Sequence, residues 1–156
     1  MTRRDDLLLL DEQVCFAIVT AARNVVAIYR PILEPLGLTH PQYLVMLALW
    51  ERAPRSLRDL AGTVALEPAT LSPLVRRLEA QGLATRIRST VDERVLDIGL
   101  TDAGRALREQ ALRVPEQVMA ATGMSAEALV ALRDALGPFS GTRDGERAAT
   151  GEPGVT

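Results

Sequence analysis

Two sets of side chains in this chain could do chemistry. One is a series of arginines, Arg76, Arg77, Arg86, Arg88 and Arg94, whose planar guanidinium groups form paired hydrogen bonds to phosphate or guanine. Between residues 68 and 91 the only acid is Glu79, so that segment carries +3 in a chain of net charge −2. The other is a single thiol, Cys15. One cysteine excludes a disulfide framework within the chain and any multi-cysteine zinc site. One histidine, His40, leaves too few soft ligands for a metal centre, and no cofactor is expected. Cys15 is either a small buried apolar residue, a common fate of a free cysteine, or a nucleophile toward a peroxide, which requires access and thiolate character.

The arginines also have two readings. All 18 basic residues are Arg, as a GC-rich coding bias would produce, and the net charge of −2 advertises no polyanion partner. Their placement has to decide between a solvated basic face and a binding face. A chain of 156 residues is one ordinary domain, and 47% apolar with 24% charged residues is the balance of a soluble globular protein. Only 3% of residues are aromatic, which favours helices over a sandwich or barrel. The start, MTRRDDLLLLDEQ, lacks the apolar run and cleavage site of a secretory signal. No stretch reads as a membrane span, so a cytoplasmic location without membrane contact is expected.

The elements that must hold these groups follow from periodicity. Val14, Ile18, Ala21, Val25, Ile28 and Ile32 recur at helical spacing up to Arg30, after which Pro31, Pro35 and Gly37 are expected to interrupt. If that helix starts at Asp11, Cys15 lies in its first turn, at the positive end of the helix dipole. A start at Asp5 or Asp6 removes that placement. A second helix opens at Thr39-His40-Pro41 and ends near Ala53-Pro54. Ser56-Leu57-Arg58-Asp59 reads as a capping box before a short helix to Ala65. After a turn at Glu67-Pro68, a longer helix runs from Ala69 or Thr70 to Gln81, with Gly82 at its left-handed end. Two helices of these lengths around a short turn make a helix-turn-helix.

Period-two alternation follows in residues 83–88 and 95–100, with a polar tip between, so a β-hairpin wing is expected. Thr101-Asp102 caps a long helix to about Thr122, kinked or split at Pro115, and Ser125 opens a last helix to about Leu136. The expected fold is mainly α with a small β-hairpin wing: a winged helix-turn-helix flanked by N- and C-terminal helices. A single domain covers 1–137, with the flanking helices at about 5–36 and 102–137 and the winged helix at about 39–101. Residues 138–156, rich in Gly, Pro and charge, are expected to be a disordered tail. Thr70, Ser72 and Pro73 then stand at the end of the recognition helix that meets base edges, and Arg76 and Arg77 follow one turn later. Arg86, Arg88 and Arg94 lie on the wing, where an arginine can enter a narrow minor groove.

The wing Asp92-Glu93-Arg94 followed by Leu100-Thr101-Asp102-Ala103-Gly104 resembles the D-x-R…L-T-x-x-G signature of the MarR family of winged-helix repressors. The resemblance implies an obligate homodimer on double-stranded DNA with a palindromic operator, the N- and C-terminal helices at about 5–36 and 102–137 serving as dimerisation helices, and Asp92 orienting Arg94 at the wing tip. Glu12 to Phe16, Tyr29-Arg30-Pro31, Pro41 to Leu44 and Thr70-Leu71-Ser72-Pro73 further resemble the organic hydroperoxide resistance regulators of that family, of one-cysteine type. That resemblance implies that Cys15 senses organic hydroperoxides and that a tyrosine hydroxyl, Tyr29, reaches it across the dimer interface. Within one chain the two are 14 residues apart, about 21 Å along a helix. His40 stands where such members commonly carry another tyrosine, and is either a donor to the thiolate or a loop residue. With no second cysteine in the chain, a sulfenic acid on Cys15 would react with a small cellular thiol or overoxidise to make a lasting signal. Two alternatives remain: a repressor relieved by a small aromatic ligand between the dimerisation helices and the winged helix, with Cys15 inert, and a thiol peroxidase. The enzyme reading is disfavoured by the missing resolving cysteine and by the DNA-reading pattern.

Overall fold

A computed structural model describes residues 8–140. The expected helix start at Asp5 or Asp6 and residues 141–156 of the expected tail lie outside these residues. Of the tail's first three residues, which are described, Pro138 and Phe139 belong to a 3-10 turn, Gly137–Phe139, where disorder was expected. A 3-10 turn, Leu10–Glu12, precedes α1, Val14–Leu33, with Gln13 at its N-cap. The helix therefore begins later than any of the starts considered from sequence. It also runs through Pro31, which was expected to break it. Proline removes one N–H from the ladder, but Ile32 and Leu33 just beyond it are buried, and that packing carries the helix to its end. A 3-10 turn, Glu34–Leu36, closes on Gly37 at φ +68°, a left-handed conformation that favours glycine.

α2, His40–Glu51, opens with a complete capping box: the Thr39 side chain accepts from Gln42 N–H, and the Gln42 side chain accepts from Thr39 N–H. Arg55–Ser56 form β1, a strand too short for alternation to reveal. α3, Leu57–Thr63, is capped by Ser56 alone. The expected box is only half formed, because the Asp59 carboxylate is drawn to Arg52 and Arg55, at 2.9 and 3.1 Å. α4 is Pro68–Ala80, β2 Ala84–Arg88 and β3 Leu96–Leu100. The sheet is antiparallel in the order β1-β3-β2, so the wing has three strands rather than the two expected. Ala84 pairs with Leu100 and Arg88 with Leu96.

α5, Asp102–Ala111, and α6, Val114–Thr122, replace the expected single helix, split before Pro115 as one of the two outcomes allowed. α7 is Ala126–Ala135, capped by Ser125. By internal contacts the chain divides into two units, residues 1–118 and 119–156. The core of the first contains Leu33, Met46, Leu49, Leu60, Leu71, Leu78 and Ile98, each essentially without solvent access. Each such side chain contributes about 1.5–3 kcal/mol by its burial. No residue of α7, in the second unit, is buried.

The residues of the L-T-x-x-G signature form a joint between the wing and α5. The Thr101 hydroxyl accepts from Gly104 N–H at 2.9 Å and donates to the Gly82 carbonyl at 2.6 Å. A Cβ on Gly104 would land on the Leu83 carbonyl oxygen, so only glycine lets helix and strand approach this closely. The Trp50 indole N–H donates to the Gly104 carbonyl at 2.8 Å and ties α2 to the same point.

Val14–Leu36, with mean hydropathy 1.3, is long and apolar enough by length and composition to cross a membrane. The expectation that no stretch reaches span length was therefore too strict. Arg23, Asn24 and Arg30 interrupt the segment, and the exposed apolar side chains on α1 give it an amphipathic reading as well.

Candidate DNA-reading face and sensor elements

α4 turns Leu71, Val75 and Leu78 into the core, at the spacing of four and three that marks one helical face. Thr70, Pro73, Arg76 and Arg77 are exposed on the other side, and Ser72 is half-buried between. The helix starts at Pro68, earlier than expected, so Thr70 and Ser72 are its third and fifth residues. Pro73 stands inside the helix although it is exposed. A proline there costs about 3 kcal/mol relative to alanine, and no burial compensates it. A local rule broken on an open surface points to a face kept for contact rather than for stability.

The wing arginines divide. The Arg86 guanidinium meets the Glu79 carboxylate at 2.6 Å, both side chains being part-buried, which fastens β2 to α4. Arg88 donates to the Glu93 carbonyl at 3.3 Å across the hairpin and stays exposed, as does Arg94. The Asp92 carboxylate meets Arg94 at the main chain: it accepts the Arg94 backbone N–H at 3.0 Å, which fixes the turn. Thr70, Pro73, Arg76, Arg77, Arg88 and Arg94 thus lie open to a large polyanion, while Arg86 is held by an acid.

Cys15 is the second residue of α1, in its first turn, and is exposed. It shares a helical face with Val19, Ala22, Val26 and Tyr29. Val19 and Val26 are 48% and 40% exposed, so this apolar face lies open until Tyr29. At that end three rings meet. Tyr29 and His40 are 4.9 Å apart in an edge-on arrangement, and Tyr29 and Tyr43 are 6.0 Å apart. Burial lowers the His40 pKa and raises those of Tyr29 and Tyr43, with Tyr29 adding a second upward push on Tyr43. The cluster is therefore three uncharged rings at neutral pH. Tyr29 and His40, both singled out from sequence, are brought together. Cys15 is not brought to them, since α1 is continuous and separates them by about 21 Å.

Tyr43 was not among the expected site residues. It lies three residues after His40 on α2, and that spacing was the available signal. A cleft of ≈ 290 Å³ between α2 and α5, lined among others by Tyr43, Leu47, Trp50, Glu51, Arg108 and Leu112, lies between the expected winged helix and the expected C-terminal helices, the location of the small-ligand alternative.

Residues 27–110 match the family model described as transcriptional regulator SarA/Rot. The chain is 37% identical over 136 residues to the organic hydroperoxide resistance transcriptional regulator of Bacillus subtilis, covering 87% of this chain and 92% of that one. Among solved structures, reduced AbfR bound to DNA is similar, with a TM-score of 0.71 and 28% identity over 88% of this chain and 96% of that one. BpsR of Bordetella bronchiseptica, whose DNA binding is regulated by 6-hydroxynicotinic acid, gives a TM-score of 0.74 and 30% identity over 85% of this chain and 96% of that one.

Proposed function

Because the chain belongs to the MarR family of winged-helix, DNA-binding transcriptional regulators, we propose that it is a homodimeric cytoplasmic repressor relieved by organic hydroperoxides through Cys15. With Cys15 reduced, the dimer holds a palindromic operator. α4 enters the major groove through Thr70, Ser72 and Pro73, with Arg76 and Arg77 on phosphate or guanine. Arg88 and Arg94 follow the backbone from the wing, and Asp92 fixes the turn that presents Arg94. Arg86 braces the wing against α4. α1 and the helices from Asp102 onward form the interface between subunits.

The observation that carries the sensing reading is the division of α1. Its first turn exposes a thiol on an apolar face, and its far end holds the cluster of Tyr29, His40 and Tyr43. An antiparallel pairing of two α1 helices covers the apolar face and brings each Cys15 to the partner's cluster, where a Tyr29 hydroxyl donates to the sulfur. The exposed apolar residues Phe16 and Val19 suit an alkyl hydroperoxide. The Cys15 thiolate attacks the terminal peroxide oxygen. The S–O bond forms as the O–O bond breaks, and the hydroperoxide leaves as the alcohol after taking a proton. A small thiol then condenses with the sulfenic acid, making a mixed disulfide and releasing water. The adduct stands on a packed interface, the helices shift, and the two reading heads lose the half-site spacing.

A second reading, relief by a small aromatic ligand, rests on the cleft between α2 and α5, which has apolar and aromatic walls with one cation, Arg108, and one acid, Glu51. Operator binding by wild type and Cys15→Ser, with and without cumene hydroperoxide, in the presence of a small thiol and at fixed salt, separates the two. Release by wild type alone supports peroxide sensing. Retention by both in peroxide, with release by an aromatic carboxylate, replaces it with the ligand reading.

A further inference from the structure

We infer that Gln42 and Gln81 are positioning residues that couple the α1–α2 junction to the end of the recognition helix. Gln42 is 4% exposed, on α2 between His40 and Tyr43, two members of the ring cluster. Gln81 is the C-cap of α4, and its backbone N–H already closes the helix on the Arg77 carbonyl at 2.9 Å. The two side chains, 39 residues apart in sequence, form one directed relay. Thr39 N–H donates to Gln42 Oε1 at 2.9 Å, Gln42 Nε2 donates to Gln81 Oε1 at 3.1 Å, and Gln81 Nε2 donates to the Gly37 carbonyl at 2.8 Å.

Each amide uses its oxygen toward one neighbour and its nitrogen toward the next, so turning either one over would set donor against donor or acceptor against acceptor. The relay also closes on itself: it leaves the junction at Thr39 and returns to it at Gly37, with the end of α4 held between. Burial makes the Gln42 amide costly to leave unpaired, so a shift of α4 relative to α2 must break the relay or carry Thr39 and Gly37 with it. His40 directly follows Thr39, and Tyr43 directly follows Gln42. Motion at the ring cluster and motion at the DNA-reading face are thereby tied through two side chains, with no contact from either to DNA. By thermodynamic reciprocity, DNA binding at α4 must then stiffen the junction.

The inference rests on α4 being the helix that reads DNA; it does not depend on which signal the protein senses. The test is amide hydrogen exchange on the reduced full-length chain, free and bound to a duplex selected from random DNA by the wild-type protein. Gln81→Met is the main variant, because Gln81 is exposed and methionine keeps its length. Operator DNA is expected to slow exchange of the 38–43 amides about fivefold or more in wild type, and less than about twofold in Gln81→Met. Slowing over 70–78 is retained in both, and Gln42→Met combined with Gln81→Met adds nothing to the single change. A purely structural role would raise exchange in the free variant but leave the DNA-induced slowing at 38–43 intact, and that result overturns the inference. Slowing over 70–78 without slowing at 38–43 in wild type overturns it as well. Absence of slowing over 70–78 in wild type with DNA bound would overturn the reading of α4 itself, and the coupling with it.

Discussion

α4 and α1 carry apolar stripes of the same helical period and meet opposite fates. In α4 the stripe of Leu71, Val75 and Leu78 has no measurable exposure and lies against α2, α3 and the sheet of its own chain. In α1 only Ile32 and Leu33, at the very end, are buried, and Val14, Phe16, Val19 and Val26 are 40–57% exposed. One helix has its partners in the same chain; the other is a face without a cover. Periodicity therefore reports that a face is to be buried, and says nothing about which chain buries it. The contrast extends to the proposed function: the proposed reading head is built within one chain, whereas the proposed sensor needs two.

The sharpest way to break this contrast is to delete matching amounts of apolar surface from each helix. Leu78→Ala removes a fully buried side chain, and a loss of about 2–5 kcal/mol is expected in urea unfolding. That loss is expected to be nearly independent of protein concentration, because the neighbours of Leu78 belong to its own chain. Val19→Asp, on the open face of α1, is expected to leave the reading head folded and to shift the protein to monomer in sedimentation. Operator affinity then falls about a hundredfold or more, as two linked half-site contacts become independent. If Val19→Asp stays dimeric and binds normally, α1 is not the interface and the two helices do not differ in the way proposed.

A smaller effect sharpens the contrast within the reading head. Arg77 is exposed and Arg86 is held by Glu79, although the sequence expectation counted both, one on the recognition helix and one on the wing, as DNA contacts. Arg77→Ala is expected to cost about 1–3 kcal/mol of operator binding if it reads guanine, and to lower the salt slope by about one if it contacts phosphate. Arg86→Ala is expected to change the salt slope little and to loosen the wing, seen as faster exchange of the β2 amides. Equal salt slopes for the two variants would mean that the Glu79 pair opens on DNA.

What sequence could and could not say follows from the range of the forces involved. The helix-turn-helix, the hairpin and the caps at Thr39, Ser56, Thr101 and Ser125 were legible because each depends on residues within a few positions. Helix ends were less so. Proline's local penalty at Pro31 is overridden by burial of Ile32 and Leu33, which depends on a helix elsewhere in the chain. β1 went unseen because two residues show no alternation, and half of the Ser56 box was lost because Arg52 and Arg55 attract Asp59 more strongly than the helix end does. At the candidate site, resemblance singled out Tyr29 and His40, each for the thiol, and the fold brings their rings to 4.9 Å of each other. The relay from Gln42 to Gln81 spans 39 residues and leaves no local pattern.

The smallest expected effect concerns the ring cluster, which decides whether the end of α1 is more than a hinge. Burial lowers the His40 pKa, so the folded state favours the neutral imidazole relative to the unfolded chain. The sign follows from linkage. Above the unfolded value of 6.5 both states are neutral, and His40 adds no pH dependence. As pH falls below 6.5 the unfolded chain takes up the proton first, and stability declines until the folded pKa is passed. Tyr29, whose ring meets His40, and Tyr43, whose ring meets Tyr29, are raised above 10.0 and stay protonated throughout that window, so they neither offset nor mimic the effect. Thermal unfolding between pH 7.5 and about 5 is expected to show a larger loss in wild type than in His40→Tyr, where no imidazole titrates. The same variant separates stability from sensing. If His40→Tyr flattens the pH profile and leaves the rate of Cys15 oxidation unchanged across pH 5.5 to 7.5, the imidazole is only a packed ring. A change in the oxidation rate with pH in wild type alone would instead join His40 to the thiol, and that contact can arise only from a second subunit, since α1 holds the two far apart within one.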